Sequence, residues 1–229
     1  MVKKVLQLLK RTLTSPEGLN LDASGPVSRF FGEDRGTPID RYYIDKFLSR
    51  QSELITGTVM EIADDKYIRK FGHNVSSYEI LYINKDNPRA TIIGDLTDPG
   101  TLPADKIDCF ICTQTFNFIY IFADAIKGAC HVLKPGGYLL ATISGPCQVS
   151  RYDMDRWGDY WRFTTLSTQK TFDAVFGEGN VEVDYYGNFL SSMSLLRGIA
   201  AEEIPTEKLD VKDPDYQVTI VVTARKKGL

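Results

Sequence analysis

The chain has 229 residues, of which 43% are hydrophobic and 25% charged, with a formal net charge of −3. This composition predicts one globular domain that buries a core, and it excludes a disordered chain. The acidic balance gives no field that would attract a phosphate backbone, so we expect no nucleic-acid partner.

The first thirteen residues predict a short amphipathic helix. Leu6, Leu9 and Leu13 fall on one helical face, with Lys3 and Lys10 elsewhere. The apolar run is too short to span a bilayer, so we expect no transmembrane segment. Two interpretations stay open: the helix docks on its own domain, or it makes weak contact with a membrane surface or a partner. We expect a cytoplasmic protein.

The next stretch, 14–38, is rich in Gly, Pro, Ser and Asp and predicts an irregular lead-in. We therefore divide the chain into an extension, 1–38, and a single domain, 39–229. The domain begins with a predicted helix, Ile39 to Leu54, whose start follows Thr37-Pro38.

Seven short apolar runs follow and predict seven strands. They are Thr58–Ala63, Ile80–Asn84, Ala90–Asp95, Ile107–Cys112, Tyr138–Ile143, Val181–Tyr186 and Gln217–Ala224. Continuous apolar strands that alternate with helical or loop segments are typical of an α/β fold, with a mainly parallel sheet covered by helices on both faces. The helix predicted before the fifth strand, Phe122–Leu133, ends at Lys134-Pro-Gly-Gly137.

The four cysteines are expected to be reduced structural thiols. Cys109 and Cys112 have the C-x-x-C spacing of some metal sites, but on a strand residues three apart point to opposite faces. His73 and His131 are the only histidines, and neither has neighbours that complete a ligand set. We therefore predict no metal site.

In open α/β sheets the ligand binds outside the carboxyl ends of the strands. The polar residues at those ends here lie at Glu61–Asp65, Asn84–Asp86, Gly94–Leu96, Cys112–Thr115 and Ser144–Pro146. The sequence therefore predicts that these five segments cluster along one edge of the sheet.

Four stretches of the chain carry a family resemblance. Thr58–Ala63, Gly94–Leu96, Ile107–Phe118 and His131–Leu140, with its Leu-Lys-Pro-Gly-Gly element, resemble the ordered motifs of class I S-adenosylmethionine-dependent methyltransferases. The resemblance implies a Rossmann-like seven-stranded sheet whose last strand is antiparallel, with S-adenosyl-L-methionine as cofactor.

A narrower resemblance rests on three further segments. Arg29–Gly32, Gly36–Tyr43 and Gly158–Thr164 are similar to a bacterial branch of that superfamily associated with glycosyltransferases and glycan assembly. This likeness implies a sugar or glycan-related acceptor and a glycosyltransferase as partner.

The superfamily resemblance assigns cofactor roles to seven residues. These are Glu61, Ala63, Asn84, Asp95, Leu96, Thr113 and Gln114. The carboxylate of Asp95 would accept from the adenine amino group, and Thr113 and Gln114 would flank the methionine part. The chain departs from the family pattern at two of them, since Ala63 stands where glycine is usual and Asn84 where an acid is usual.

Aromatic and charged residues alternate in the segment 151–164, a mixture suited to a sugar ligand. We predict that the acceptor is bound by Tyr42, Tyr152, Tyr160, Trp161 and Arg162. Asp155 and Asp159 are the predicted catalytic bases. The alternative is that this segment is an aromatic lid that closes its own core.

The resulting hypothesis is a methyltransferase that O-methylates a sugar or glycan-related acceptor. The alternative hypothesis is a catalytically degenerate methyltransferase fold that acts as a binding or scaffolding partner of a glycosyltransferase. Ala63 and Asn84, which depart from the family pattern, favour this alternative. A third hypothesis is a nicotinamide-dependent sugar enzyme. The sequence has no Gly-x-Gly-x-x-Gly motif after the first strand, which argues against it.

Overall fold

A computed structural model describes residues 2–13 and 24–228. Residues 14–23, the first part of the predicted lead-in, lie outside the described residues. The chain divides into two compact units. The first comprises 1–45, 145–148 and 185–219, and the second comprises 46–144, 149–184 and 220–229.

The described residues form eight helices. They are α1 (Val2–Leu13), α2 (Ile39–Arg50), α3 (Lys66–Phe71), α4 (Phe122–Val132), α5 (Arg151–Met154), α6 (Thr165–Phe176), α7 (Phe189–Arg197) and α8 (Thr206–Leu209). Of these, α1, α2 and α4 lie where the sequence predicted helices. Short 3₁₀ turns occur at Ser52–Leu54, Pro99–Thr101, Phe116–Phe118 and Ala201–Glu203. No helix of the described ranges has the length and apolar character that crossing a membrane requires.

Seven strands form one sheet, which confirms the predicted fold class. They are β1 (Gly57–Ile62), β2 (Val75–Tyr82), β3 (Ile92–Ile93), β4 (Ile107–Thr113), β5 (Leu133–Ser144), β6 (Val181–Tyr186) and β7 (Thr219–Arg225). Their order is β3-β2-β1-β4-β5-β7-β6. Strands β3, β2, β1, β4 and β5 are parallel neighbours.

The last strand is antiparallel, as predicted. At one end of β7, Lys226 donates to the carbonyl of Gly137 at 2.9 Å; at the other, Gly145 donates to the carbonyl of Val218 at 3.1 Å. Residue 137 is therefore paired with 226, and residue 145 with 218. The numbers rise along β5 while those of the paired residues fall, so β5 and β7 run in opposite directions. Strand β7 lies between β5 and β6 rather than at the edge of the sheet.

Two strands, β2 and β5, begin five residues before their predicted starts. Strand β2 begins at Val75, five residues before the predicted start, because its first half is largely exposed and carries no apolar signal. Strand β5 begins at Leu133 and includes the Pro-Gly-Gly element that we interpreted as a helix stop. Gly137 is pressed against β4, where an added Cβ would lie 3.0 Å from the carbonyl oxygens of Ile107 and Asp108.

The core of the second unit lies on the sheet and beneath α4 and α6. Met60, Phe110 and Leu139 contribute from the strands, and Ile126 and Phe172 from the helices. Strand β4 is buried along most of its length, which explains its continuous apolar run. Gly128 allows α4 to approach the segment after β3, because a Cβ there would lie 2.0 Å from the carbonyl oxygen of Leu96.

In the first unit, Arg35 forms a buried ion pair. Its guanidinium donates through two nitrogens to the carboxylate of Glu203, with 1% and 7% of the two side chains exposed. Tyr43 stacks on Tyr186 and donates its hydroxyl to the carbonyl of Leu209 at 2.8 Å. The segment 36–43 that suggested the glycan-associated branch therefore has a structural role in this unit.

Candidate functional site

The predicted cofactor residues come from neighbouring strands of the second unit. Strands β3, β2, β1 and β4 are adjacent and parallel, so their carboxyl ends lie along one edge of the sheet. The five polar segments predicted to cluster there follow β1, β2, β3, β4 and β5. This edge is the candidate site.

Glu61, near the end of β1, caps a helix. Its carboxylate accepts from the backbone N–H of Tyr67 at 3.0 Å and of Ile68 at 3.0 Å, in the first turn of α3. Only 3% of the residue is exposed, and burial raises the pKa of Glu61 to about 8 while those two amides work in the opposite direction. In this arrangement Glu61 fixes the turn between β1 and α3.

That turn holds Ala63 in the left-handed region, with φ 65°. Its N–H donates to the carbonyl of Leu81, and its carbonyl accepts from the Nδ2 of Asn87 at 2.6 Å. Two residues further on, the buried carboxylate of Asp65 pairs with Arg69 and Arg89. The turn thus keeps the backbone shape that glycine usually supplies.

Asn87 and Arg89 hold this turn from the loop after β2, and sequence reasoning missed both. The signal available was a cluster of polar residues, 84–89, opposite a turn with its own acid. Asn84 itself lies two residues beyond β2, is exposed, and accepts from the N–H of Asp86 at 2.9 Å. The amide oxygen of Asn84 therefore closes a local turn.

Asp95 follows β3 and is partly exposed. Its Oδ1 accepts from the N–H and the hydroxyl of Thr97, both at 2.8 Å. None of the described residues donates to the other carboxylate oxygen, so Asp95 keeps an acceptor for a ligand. Leu96 is 5% exposed and belongs to the core cluster.

Gln114, directly after β4, carries the clearest unsatisfied group of the edge. The residue is 7% exposed and has φ 48°. Its Oε1 accepts from the hydroxyl of Ser144, but its Nε2 is buried and has no acceptor among residues 2–13 and 24–228. A buried donor without a partner is costly, so this amide is a place where a ligand acceptor would be stabilising. Thr113 beside it is partly exposed.

The segment 151–164, which we call the aromatic segment, crosses the same edge. Trp157 packs edge-to-face on Tyr82 at the end of β2, with 6.5 Å between ring centroids. Trp161 donates its backbone N–H to the carbonyl of Asn117 at 3.1 Å, and Phe163 donates to the carbonyl of Ser144 at 3.0 Å. The segment is therefore attached beside three strand ends, β2, β4 and β5.

The four predicted acceptor residues of this segment differ in exposure. The ring of Tyr152 lies under the guanidinium of Arg156, 3.5 Å from its centroid, and is 62% exposed. Tyr160 is 49% exposed and packs on Tyr120, on which Trp161 also stacks. Arg162 forms an ion pair with Asp159 of the same segment. The two tyrosine rings are the accessible aromatic surfaces.

The two predicted bases have opposite environments. The carboxylate of Asp159 is 1% exposed, accepts from both terminal nitrogens of Arg162 at 2.6 and 2.9 Å, and accepts from the N–H of Ser150. Although burial alone would raise it, the pKa of Asp159 is lowered by these donors. Asp155 is 62% exposed and faces Arg151 at 3.3 Å. Asp159 is therefore a weak base in this arrangement. The side chain of Asp155 is largely solvated.

Tyr42 belongs to the first unit. Its hydroxyl donates to Asp210 at 2.7 Å, and burial, followed by this carboxylate, raises the pKa of Tyr42. Tyr42 is thus engaged by an acid of its own unit.

All four cysteines are free thiols, and burial raises the pKa of Cys112 to about 12 and that of Cys109 further. Within the described part of the chain, no three His, Cys, Asp or Glu side chains come together as a metal site would require.

A family model supports the superfamily resemblance. Residues 55–141, which contain β1 to most of β5, match the Methyltransf_11 family, described as a methyltransferase domain. No curated protein matches the chain. The matched residues make up well under half of the chain.

Solved structures of similar fold extend over most of the chain. A chain of the complex between the Haloferax volcanii Trm112 methyltransferase activator and a methyltransferase is 14% identical, with a TM-score of 0.57, covering 87% of this chain and 95% of that one. A SAM-dependent methyltransferase from Archaeoglobus fulgidus is 13% identical, with a TM-score of 0.53, covering 81% and 94%.

The [4+2]-cyclase SpnF is 15% identical, with a TM-score of 0.54, and covers 100% of this chain and 96% of that one. At these identities the likeness establishes the fold, which SpnF shares although it is described as a cyclase. The match to a methyltransferase domain supports the predicted cofactor, S-adenosyl-L-methionine, and nothing in the comparisons points to the glycan-associated branch.

Proposed function

We propose that the protein transfers a methyl group from S-adenosyl-L-methionine to a hydroxyl of a sugar or glycan-related acceptor. The observation that carries the proposal is the unpaired, buried Nε2 of Gln114 at the carboxyl edge of the sheet. The match of residues 55–141 to a methyltransferase domain supports the methyl-transfer part of the proposal. An amide N–H at this point is suited to an acceptor oxygen such as the carboxylate of the methionine part.

The residues of the edge fit the other parts of the cofactor as well. Asp95 keeps one free carboxylate oxygen, which suits the adenine amino group. The left-handed Ala63 turns the backbone between β1 and α3, and Glu61 holds that turn by capping α3. The amide oxygen of Asn84 accepts from the N–H of Asp86 and keeps a second lone pair, which suits a ribose hydroxyl.

Residues of this edge such as Gln114 and Asp95 would hold S-adenosyl-L-methionine, which would supply an electrophilic methyl group on its sulfonium sulfur. The chain's own contribution is orientation of the hydroxyl and removal of its proton. Exposed Tyr152 and Tyr160 offer flat faces on which a pyranose ring stacks.

Asp155 and Asp159 remain our candidates for the base, with different expectations. Asp155 is exposed and its contact with Arg151, which is also exposed, is a weak surface ion pair at 3.3 Å. Asp159 is tied to Arg162 and to the N–H of Ser150, which favours a role in holding the segment over proton removal. The segment therefore has one acid suited to accept a proton and one suited to keep its shape.

The competing function is a methyltransferase fold without turnover, which binds or scaffolds a glycosyltransferase. The observation in its favour is Asn84, whose amide oxygen is used in a local turn where the family usually has an acid. Such a protein would need no intact cofactor site.

Calorimetric titration with S-adenosylmethionine and S-adenosylhomocysteine separates the two. The proposal expects saturable one-to-one binding that is weakened in Gln114→Met, which removes the amide and keeps an unbranched chain of similar length. Thr171→Val, at a partly exposed α6 residue outside the edge, is the matched control and is expected to bind as the wild type does. Absence of binding by the folded wild-type protein would refute the enzyme and leave the scaffold.

A further inference from the structure

Helix α1 presents its apolar side to solvent. Val5, Leu6 and Leu9 are 52%, 57% and 51% exposed. They lie within five residues and at helical spacings of three and four, so they form one continuous patch. Scattered exposed apolar residues are normal on a protein surface, but three on one face of a single short helix are not scattered.

The polar side of the same helix is the side that holds it to the first unit. Lys10 Nζ lies 2.6 Å from the carboxylate Oδ2 of Asp34, and Gln7 Nε2 donates to the carbonyl of Glu33 at 3.1 Å. Residues 7 and 10 are three apart and share a face. An ordinary surface helix buries its apolar stripe and exposes its polar one; α1 has the reverse arrangement.

The charge of α1 is also opposite to that of the rest of the chain. The helix contains Lys3, Lys4, Lys10 and Arg11 and no acid, and the first acid of the sequence is Glu17. With a total of −3, the +4 of the helix leaves −7 for the remaining residues. An anionic surface would therefore attract α1 and repel the remainder, which gives the bound protein one orientation.

From this we infer that α1 is an interfacial helix that binds an anionic lipid surface. The apolar patch of Val5, Leu6 and Leu9 enters the boundary between head groups and acyl chains, and the basic side chains that flank it contact the lipid phosphates. A short basic helix with an apolar face binds in the plane of the interface and does not span it. The alternative occupant of the patch, a second copy of this chain, would bring the basic residues of this helix against the same basic residues of the other copy.

The test is co-sedimentation of the full chain with vesicles. Vesicles of equal parts phosphatidylglycerol and phosphatidylcholine are compared with pure phosphatidylcholine, at low and at high salt. We expect binding to the anionic vesicles that weakens with salt, because the attraction to the surface is screened. Equal binding to both vesicle types, or none to either, would overturn the inference.

Variants localise the binding. Leu6→Ser with Leu9→Ser is expected to lower the partition coefficient about tenfold or more, since two half-exposed leucines no longer enter the interface. Leu166→Ser with Leu196→Ser, two exposed leucines on α6 and α7, is the matched control and is expected to bind normally. Lys4→Glu, which leaves both the apolar patch and the contact of Lys10 with Asp34 in place, is expected to reduce binding about tenfold.

Sedimentation velocity excludes the rival occupant. The inference expects the same sedimentation coefficient for the wild type and for Leu6→Ser with Leu9→Ser. A wild-type dimer that this double variant dissociates, in a protein that does not bind vesicles, would assign the patch to a second copy. Melting curves by circular dichroism verify that each variant is folded, and Lys4→Glu keeps the inference testable if the leucine variant is not.

Discussion

Replacement of Ala63 by glycine tests whether the turn after β1 is strained. Ala63 has φ 65°, where an L-residue costs about 1 to 2 kcal/mol. Glycine removes that cost but returns about 0.4 to 1 kcal/mol of entropy to the unfolded chain. Loss of a partly buried methyl costs up to about 0.4 kcal/mol more. The sum predicts a small net stabilisation of about 0.4 kcal/mol.

Ala90→Gly is the matched control. Ala90 is also partly buried and lies in irregular backbone, but its φ is not in the left-handed region. The same replacement there has no strain to relieve, so we expect a destabilisation of about 1 kcal/mol. The difference between the two variants, about 1 to 2 kcal/mol, measures the strain of Ala63.

Guanidinium unfolding followed by the fluorescence of Trp157 and Trp161 measures both values. Calorimetric titration of the Ala63→Gly variant with S-adenosylhomocysteine is expected to give equal or tighter binding, because the backbone shape is kept and a Cβ is removed from it. Equal destabilisation by Ala63→Gly and Ala90→Gly would refute the reasoning, since it would mean that the turn stores no strain.

The other predictions concern the carboxyl edge and the aromatic segment. Asp95→Ala and Gln114→Met should each weaken S-adenosylhomocysteine binding by about 1 to 3 kcal/mol, and unchanged titrations of the folded variants would remove these residues from the site. The pKa of Glu61 is raised to about 8 in the folded protein, so Glu61 keeps its proton at pH values at which the unfolded chain has released it. The stabilisation that follows is complete below about pH 4.5 and is lost as the pH rises to 8. Urea unfolding should show a loss of about 2 kcal/mol between pH 6 and pH 8, and the loss should be absent in Glu61→Gln. Asp155→Asn should lower the methylation rate about 10²- to 10⁴-fold with cofactor affinity intact if it is the base, whereas Asp159→Asn should lower the melting temperature; the reverse pattern would exchange their roles.

The candidate site was only partly accessible from sequence, and Gln114 and Glu61 illustrate why. The position of both at strand ends follows from the apolar runs that precede them. The unpaired amide of Gln114 appears only when Ser144, thirty residues later, is seen to occupy its Oε1. The role of Glu61 as a cap depends on where the chain turns into α3.

By itself the sequence determined the order of the strands, the positions of α1, α2 and α4, and the class of the sheet. Apolar runs, helical spacing and Pro-Gly signals are local properties, which each stretch of chain carries without its partners. The start of β2 was not predicted because its exposed residues Ser76 to Tyr78 carry no apolar pattern. The start of β5 was not predicted because Gly137, which we interpreted as part of a helix stop, packs closely on β4.

Only the tertiary structure decided which polar groups are free. Asp159 and Asp155 look alike in sequence, yet one is buried on Arg162 and the other is solvated. Tertiary contacts likewise put Gln7 and Lys10 of α1 against the first unit and leave Val5, Leu6 and Leu9 exposed, although the pattern of α1 is that of any amphipathic helix. Partner choice depends on groups brought together from distant parts of the chain, and the free energy of a charge depends on that environment more than on its residue type.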